Sequence, residues 1–214
     1  MKGSATRVAP GTHAGDPPFL DDLAAIEQEI WRLLAAGARE RTHAFHTPTL
    51  ATVCADGPQA RTVTLRGADP ATRQVSFNLD ARSTLAAELH ADARVALHAY
   101  GAAERTQLRL TGEARLRSGD AIASRAWALA SASARRCYLV PPPGSVSPIP
   151  TSGLPAELER RAPTTAESAG AFGHFRVAEV TVHRIDWLYL HAQHKRRARF
   201  AWTDGRWRGQ WLSP

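Results

Sequence analysis

Two cysteines in 214 residues, Cys54 and Cys137, set a first boundary. They stand far apart with no CxxC, which argues against a disulfide scaffold or a thiolate metal site. They read as two reduced thiols of a cytoplasmic protein. Lysine is scarce as well, so the 27 basic residues are overwhelmingly arginine. No run of about 18 apolar residues occurs, and no segment reads as a bilayer-spanning helix. The opening MKGSATRVAPGTHAGDPP lacks the apolar middle of a secretory signal and is expected to be a flexible leader over residues 1–18. Internal repeats are absent.

What is present fits one globular unit over residues 19–214. An apolar share of 43% is enough for a core. The net charge of +7 is compatible with nucleic acid, membrane phosphates or small phosphorylated ligands. Arginine and alanine enrichment also accompanies a GC-rich genome, so charge alone selects no partner.

Leu20, Leu23, Ile26, Ile30, Leu33 and Leu34 recur at helical spacing and predict an amphipathic helix over 20–36, ended by Gly37. From Thr49 the period changes. TLATVCAD and QARTVTLRG predict two strands about a tight turn at Gly57-Pro58. RQVSFNLD follows as a third strand after the turn signal Ala68-Asp69-Pro70. Residues 83–89 predict a short helix with Ser83 as N-cap. RVALHAY (94–100) and TQLRLTGEARLR (106–117) are strands, and a helix is expected over 121–134.

The run PPPGSVSPIPTSGLP (141–155) cannot be regular structure, because its prolines lack amide donors and force extended neighbours. It opens a Pro-rich loop, 141–170, which is either a link or the edge of a site. FRVAEVTVHRIDWLYLH is a long strand, and the remainder is a hairpin turning at Asp204-Gly205. Many antiparallel strands with few helices predict a small, mostly β barrel with helices at its sides.

RTVTLRG, Arg82-Ser83, Gln107 and the C-terminal aromatic–Arg–Phe pattern, in this order, resemble the pyridoxamine 5′-phosphate oxidase-like, FMN-binding split β-barrels. The resemblance covers most of residues 45–214. It implies an antiparallel, Greek-key type barrel, FMN as cofactor, and a homodimer that builds each flavin site from both chains. It also implies two-electron redox chemistry on a small-molecule substrate, phosphorylated or not, with no catalytic side chain of the protein required.

Residue by residue, the resemblance places Arg61, Val63, Thr64, Leu65 and Arg66 along the flavin. A guanidinium suits phosphate because it makes paired, charge-assisted hydrogen bonds. Arg82 and Ser83 fall at the phosphate, at a helix start. Leu79 stands where threonine is usual in the family, and Leu85 where lysine is usual. Gln107 lies five residues before Gly112 and matches the glutamine at the flavin edge. Tyr189 or Trp187 matches the flavin-contacting aromatic, with Tyr189 favoured by gapless counting from Arg199, itself a flavin ligand. Lys195 and Arg197 take the places of a substrate-binding Arg-His pair.

Arg135 and Arg136 lie near the family's substrate-phosphate helix but read as solvated. Nine histidines show no convergent metal set. The basic run HKRRARF (194–200) sits on a hairpin and matches no nucleic-acid reader. Three readings remain open. They are an FMN oxidoreductase of the broader family, a genuine pyridoxamine or pyridoxine 5′-phosphate oxidase, and a non-enzymatic protein holding flavin or haem.

Overall fold

A computed structural model describes residues 17–214; the expected leader, apart from its last two residues, lies outside the described residues. Helix α1 (Leu23–Arg39) opens with Asp22 as N-cap, whose carboxylate accepts from the Ala24 and Ala25 amides. Gly37 does not end it. The glycine is inside the helix, where any Cβ would lie 2.6 Å from the Phe45 carbonyl oxygen. Close approach is what this position requires, and the helix runs to Arg39.

Nine strands form one antiparallel sheet: β1 (Thr49–Cys54), β2 (Gly57–Thr62), β3 (Leu65–Asp69), β4 (Gln74–Asp80), β5 (Arg94–Gly101), β6 (Thr106–Arg117), β7 (Phe175–Leu190), β8 (Lys195–Thr203) and β9 (Arg206–Leu212). The order is β2-β1-β5-β6-β7-β4-β3, with the β8–β9 hairpin attached to β7. The sheet is antiparallel with helices at its flanks, as expected, and it is open. Alternation sets its faces: Val95, Leu97, Leu108, Leu110, Val180, Val182, Ile185 and Trp187 all point into one core.

Three local expectations are corrected. The first hairpin turns at Ala55-Asp56, and Pro58 is already a strand residue opposite Val53. The stretch 59–67 is two strands rather than one. It breaks at Val63-Thr64, and the chain passes from pairing with β1 to pairing with β4. The helix expected over 121–134 splits into α3 (Ala121–Leu129) and α4 (Ala132–Arg135), because Ser131 caps a new start by accepting from the Ala134 amide.

Between Ala81 and Arg94, α2 (Thr84–Ala91) starts at Ser83, whose hydroxyl accepts from the Ala86 amide. The 141–155 run has no regular structure, but α5 (Ala156–Glu159) and α6 (Thr165–Ala169) occupy the rest of the expected loop. Asp204 and Gly205, both at positive φ, make the tight turn of the last hairpin. No helix among the described residues is long and apolar enough to cross a membrane.

The β6–β7 register shifts between Thr111 and Gly112. A Cβ on Gly112 would fall on the Thr181 carbonyl oxygen, with the Val182 Cα 3.1 Å away, so the strands meet there only through glycine. Gly112→Ala is expected to cost about 2 kcal/mol through forced backbone movement. Urea unfolding measures it, and an unchanged midpoint would show that the strands tolerate a side chain there.

Candidate functional site

A cleft of about 950 Å³ lies where α3 and the α3–α4 turn stand over the outer face of the sheet. Its sheet wall is Thr64 and Arg66 beside β3, Ser76 and Asn78 on β4, and Val177 and Glu179 on β7. Asn78 pairs with Val177 and Ser76 with Glu179, so these four side chains share one face. Ile122, Arg125, Ala126 and Leu129 form the opposite wall, continued by Ser131 and Ser133, and Arg41, His46 and Thr47 also line the cleft. His46 is held by Nδ1, 2.6 Å from the Gly37 carbonyl oxygen.

The polar groups of this lining differ in what they already hold. Arg117 Nε donates to Glu179 at 2.5 Å, which neutralises the cleft's carboxylate. Arg41, Arg66 and Arg125 have no carboxylate partner among the described residues. Asn78 Oδ1 is buried with no hydrogen-bond donor. A buried amide oxygen without a donor is costly unless a ligand or water supplies one.

Of the expected flavin residues, Thr64 and Arg66 are in this cleft. Val63 and Leu65 flank them but point into the core. Arg61 is turned toward α2 and takes part in a closed network. Its Nη1 donates to Glu88 Oε2 at 2.6 Å and to Thr52 Oγ1 at 2.8 Å, and its Nη2 donates to Glu88 Oε1 at 3.0 Å. Thr52 Oγ1 donates to the same Glu88 oxygen at 2.5 Å. Burial pushes the Glu88 carboxyl up, but the Thr52 hydroxyl and the Arg61 guanidinium outweigh it and hold the group below its ordinary value.

Arg82 is likewise engaged, donating to Asp80 from Nε at 3.0 Å and Nη2 at 2.7 Å. The Ser83 hydroxyl donates to the Asp80 carbonyl at 2.6 Å while it caps α2. Leu79 and Leu85, at the positions of the family's threonine and lysine, are core residues. Arginine has five N–H donors. The bonds above leave Arg61 its Nε–H and one Nη2 hydrogen. Arg82 also uses its second Nη2 hydrogen, on the Tyr138 carbonyl at 3.4 Å, and keeps both on Nη1. Each arginine therefore retains two free donors beside a neutralised charge.

Of the remaining expected residues, Gln107, Lys195, Arg197 and Arg199 form a second group on the outer face of β6, β7 and β8. Gln107 stands opposite Leu188, which stands opposite Arg197. Arg197 donates to Asp186 at 3.1 and 3.0 Å, and Arg109 reaches the same carboxylate at 3.4 Å. Arg199 is on this face with a buried Nε that has no acceptor. Lys195 is exposed at the start of β8. Trp187 and Tyr189 both point into the core, stacked at 6.3 Å, so neither ring is presented on the outer face. Val177 and Leu188, the β7 partners of Asn78 and Gln107, are eleven residues apart, roughly 35 Å along a strand. One chain does not bring the two groups together.

Arg135 and Arg136 are structural. Arg135 donates to the Trp127 carbonyl at 2.9 Å at the end of α3, and Arg136 to the Leu158 carbonyl at 3.1 Å. Among residues the sequence reading missed, Glu88 carried a signal: it shares a helical stripe with buried Leu85 and Leu89, so it needs a buried partner. Nothing local marked Asn78, Arg41 or Arg125.

Because the folded-state value of Glu88 is lowered, its stabilisation is present above the unfolded carboxylate value of about 4.3 and fades as pH falls through the folded value. Glu88→Gln should lower stability by about 2 kcal/mol at neutral pH. The gap to the parent protein should close on acidification. Urea titrations of both proteins between neutral pH and the acid limit test this, and a pH-independent gap would contradict it.

Residues 28–118 match the family described as pyridoxamine 5′-phosphate oxidase, FMN-binding domain. The chain is similar to a pyridoxamine 5′-phosphate oxidase-related, FMN-binding protein of Nostoc punctiforme, with 25% identity over 87% of this chain and 96% of that one and a TM-score of 0.70. It shares the fold of PhzG from Burkholderia lata, solved with tetrahydrophenazine-1-carboxylic acid, with a TM-score of 0.67 and 18% identity over 95% of this chain and 100% of that one. No curated protein matches. The open antiparallel sheet and the Nostoc similarity show the split-barrel fold, and residues 28–118 of the chain match the FMN-binding domain of the pyridoxamine 5′-phosphate oxidase family.

Proposed function

We propose that the protein is an FMN-dependent oxidoreductase whose flavin ring lies in the cleft beside β3 and β4. The observation that carries this is the free polar set on one face. Arg66 is unneutralised, the Thr64 hydroxyl is beside it, and the buried Asn78 Oδ1 lacks a donor. A flavin has an N–H and carbonyl edge of the kind such a set can engage. The residues present fit FMN at both ends, since the two free donors on each of Arg61 and Arg82 suit a phosphate.

Bound FMN would supply two-electron transfer at its ring. The chain's own residues do the rest. Arg66 balances negative charge on the ring edge, Thr64 and Asn78 fix its orientation, and α3 with Val177 keeps water from its face. The second group, Gln107 and Arg199, belongs in this proposal to the same site through a homodimer. The roughly 35 Å between the groups along β7 supports this, because a partner chain can supply what the same chain cannot. Exposed Tyr100 and Val53 on the neighbouring outer strands give such a partner apolar surface.

Purified protein mixed with FMN and freed of excess should keep the absorption bands of oxidised flavin. Arg66→Ala should weaken FMN at least about tenfold, the loss of a charge-assisted bond. A colourless protein that refuses FMN removes the proposal. Oxygen uptake with pyridoxamine phosphate would single out the family's namesake reaction.

Light scattering of the holoprotein should give twice the 23.2 kDa chain mass. A flavin-loaded monomer would remove the two-chain site.

A further inference from the structure

The cleft is larger and differently charged than a flavin ring requires. At about 950 Å³ it stands at the top of the ordinary range for small-molecule sites, roughly 300–1,000 Å³. With Arg66 assigned to the flavin, Arg41 and Arg125 remain. Neither has a carboxylate partner among the described residues. The one carboxylate in the lining is already taken by Arg117.

Along α3 the wall beside Arg125 is apolar, and the serines of that side, Ser131 and Ser133, lie past its end. Ile122, Ala126 and Leu129 lie along α3, and Ala130 continues the wall. Leu129 keeps 78% of its surface exposed and Ile122 39%, which is unusual for large aliphatic side chains standing on a concave wall. A compact, hydrophilic phosphate ester would satisfy the arginines and leave this wall wet. An apolar molecule without charge would do the reverse.

The geometry points to a substrate that is an organic anion with an apolar body, an arene or alicyclic carboxylate. Its carboxylate is read by Arg41 and Arg125, and its body lies along Ile122 and Leu129. This rests on the flavin proposal for what happens to the substrate, but not for its binding. The anion gains charge-assisted, paired bonds from the guanidiniums. The body gains the burial of apolar surface on both sides.

Calorimetric titration of the full chain with 1-naphthoate and with neutral 1-naphthamide, with and without FMN, tests it. Naphthoate should bind at least about tenfold tighter than naphthamide. Arg125→Ala should reduce that preference and the double variant Arg41→Ala/Arg125→Ala should abolish it, both leaving naphthamide unchanged, while Leu129→Ser should weaken both probes. Arg41, and Arg125 and Leu129 on α3, are exposed, so these variants keep the core intact. Equal binding of the two probes overturns the inference, as does an Arg125→Ala variant whose preference for naphthoate is undiminished. Inorganic phosphate competing as strongly as naphthoate overturns it too, since phosphate cannot use the apolar wall. Preferential naphthoate binding in a protein that refuses FMN overturns the flavin proposal alone and supports the anion site.

Discussion

Strand β7 has to be shared. It runs sixteen residues, and β6 follows one edge of it from Val177 to Tyr189. The other edge is divided, with β4 paired along 175–181 and β8 along 184–190. Two strands cannot occupy one edge without parting, so the sheet opens between β4 and β8. The register shift at Gly112, on the facing strand, is at the handover. This division gives the outer face two regions. The N-terminal half of β7 is roofed by α3 and becomes the wall of the cleft. The C-terminal half carries Asp186 and Leu188, with Gln107, Arg197 and Arg199 on its neighbours. The distance between the two groups of expected site residues is therefore a property of the topology.

Charge is sorted by the same architecture. Three partly buried guanidiniums are matched by carboxylates: Arg61 by Glu88, Arg82 by Asp80, and Arg197 by Asp186, which the exposed Arg109 also reaches. An unpaired charge in those places would cost several kcal/mol, and the match removes most of that cost. Three of the arginines without a carboxylate partner among the described residues, Arg41, Arg66 and Arg125, meet in a concave site. A cleft with low-dielectric walls focuses the field of such groups and draws in anions. The net charge of +7 thus has a local meaning that its total does not.

Strand existence was legible because apolar alternation survives in every strand that faces the core. Less legible were places where two structures share one pattern. Val63 and Leu65 continue the alternation of β2, so the break at Val63-Thr64 leaves no trace in residue type. The alanine-rich 121–134 stretch favours helix throughout, and only the capping geometry of Ser131 divides it. Gly37 carries the mark of a helix end, but glycine also marks close packing, and here the second use prevails. In the site, Thr64 and Arg66 were legible through resemblance. Arg41 and Arg125 were not, since a cleft arginine and a solvated one look alike until the chain folds around them.

Leu79 and Leu85 show how one position can change its task without disturbing the fold. Both are core residues here, so the end of the sheet near α2 is closed by packing at positions where the resemblance implies polar side chains. The arginines that remain beside it keep free donors but have lost their net charge to Glu88 and Asp80. In the proposed complex a phosphate there gains hydrogen bonds with little Coulombic attraction, and hydrogen bonds to a neutralised pair are the weaker kind. Recognition must then shift toward the ring, where Arg66 is unneutralised and Asn78 Oδ1 has no other partner. The cofactor would be held mainly by the end that does the chemistry, and the charge that stabilises its reduced form is the same charge that binds it.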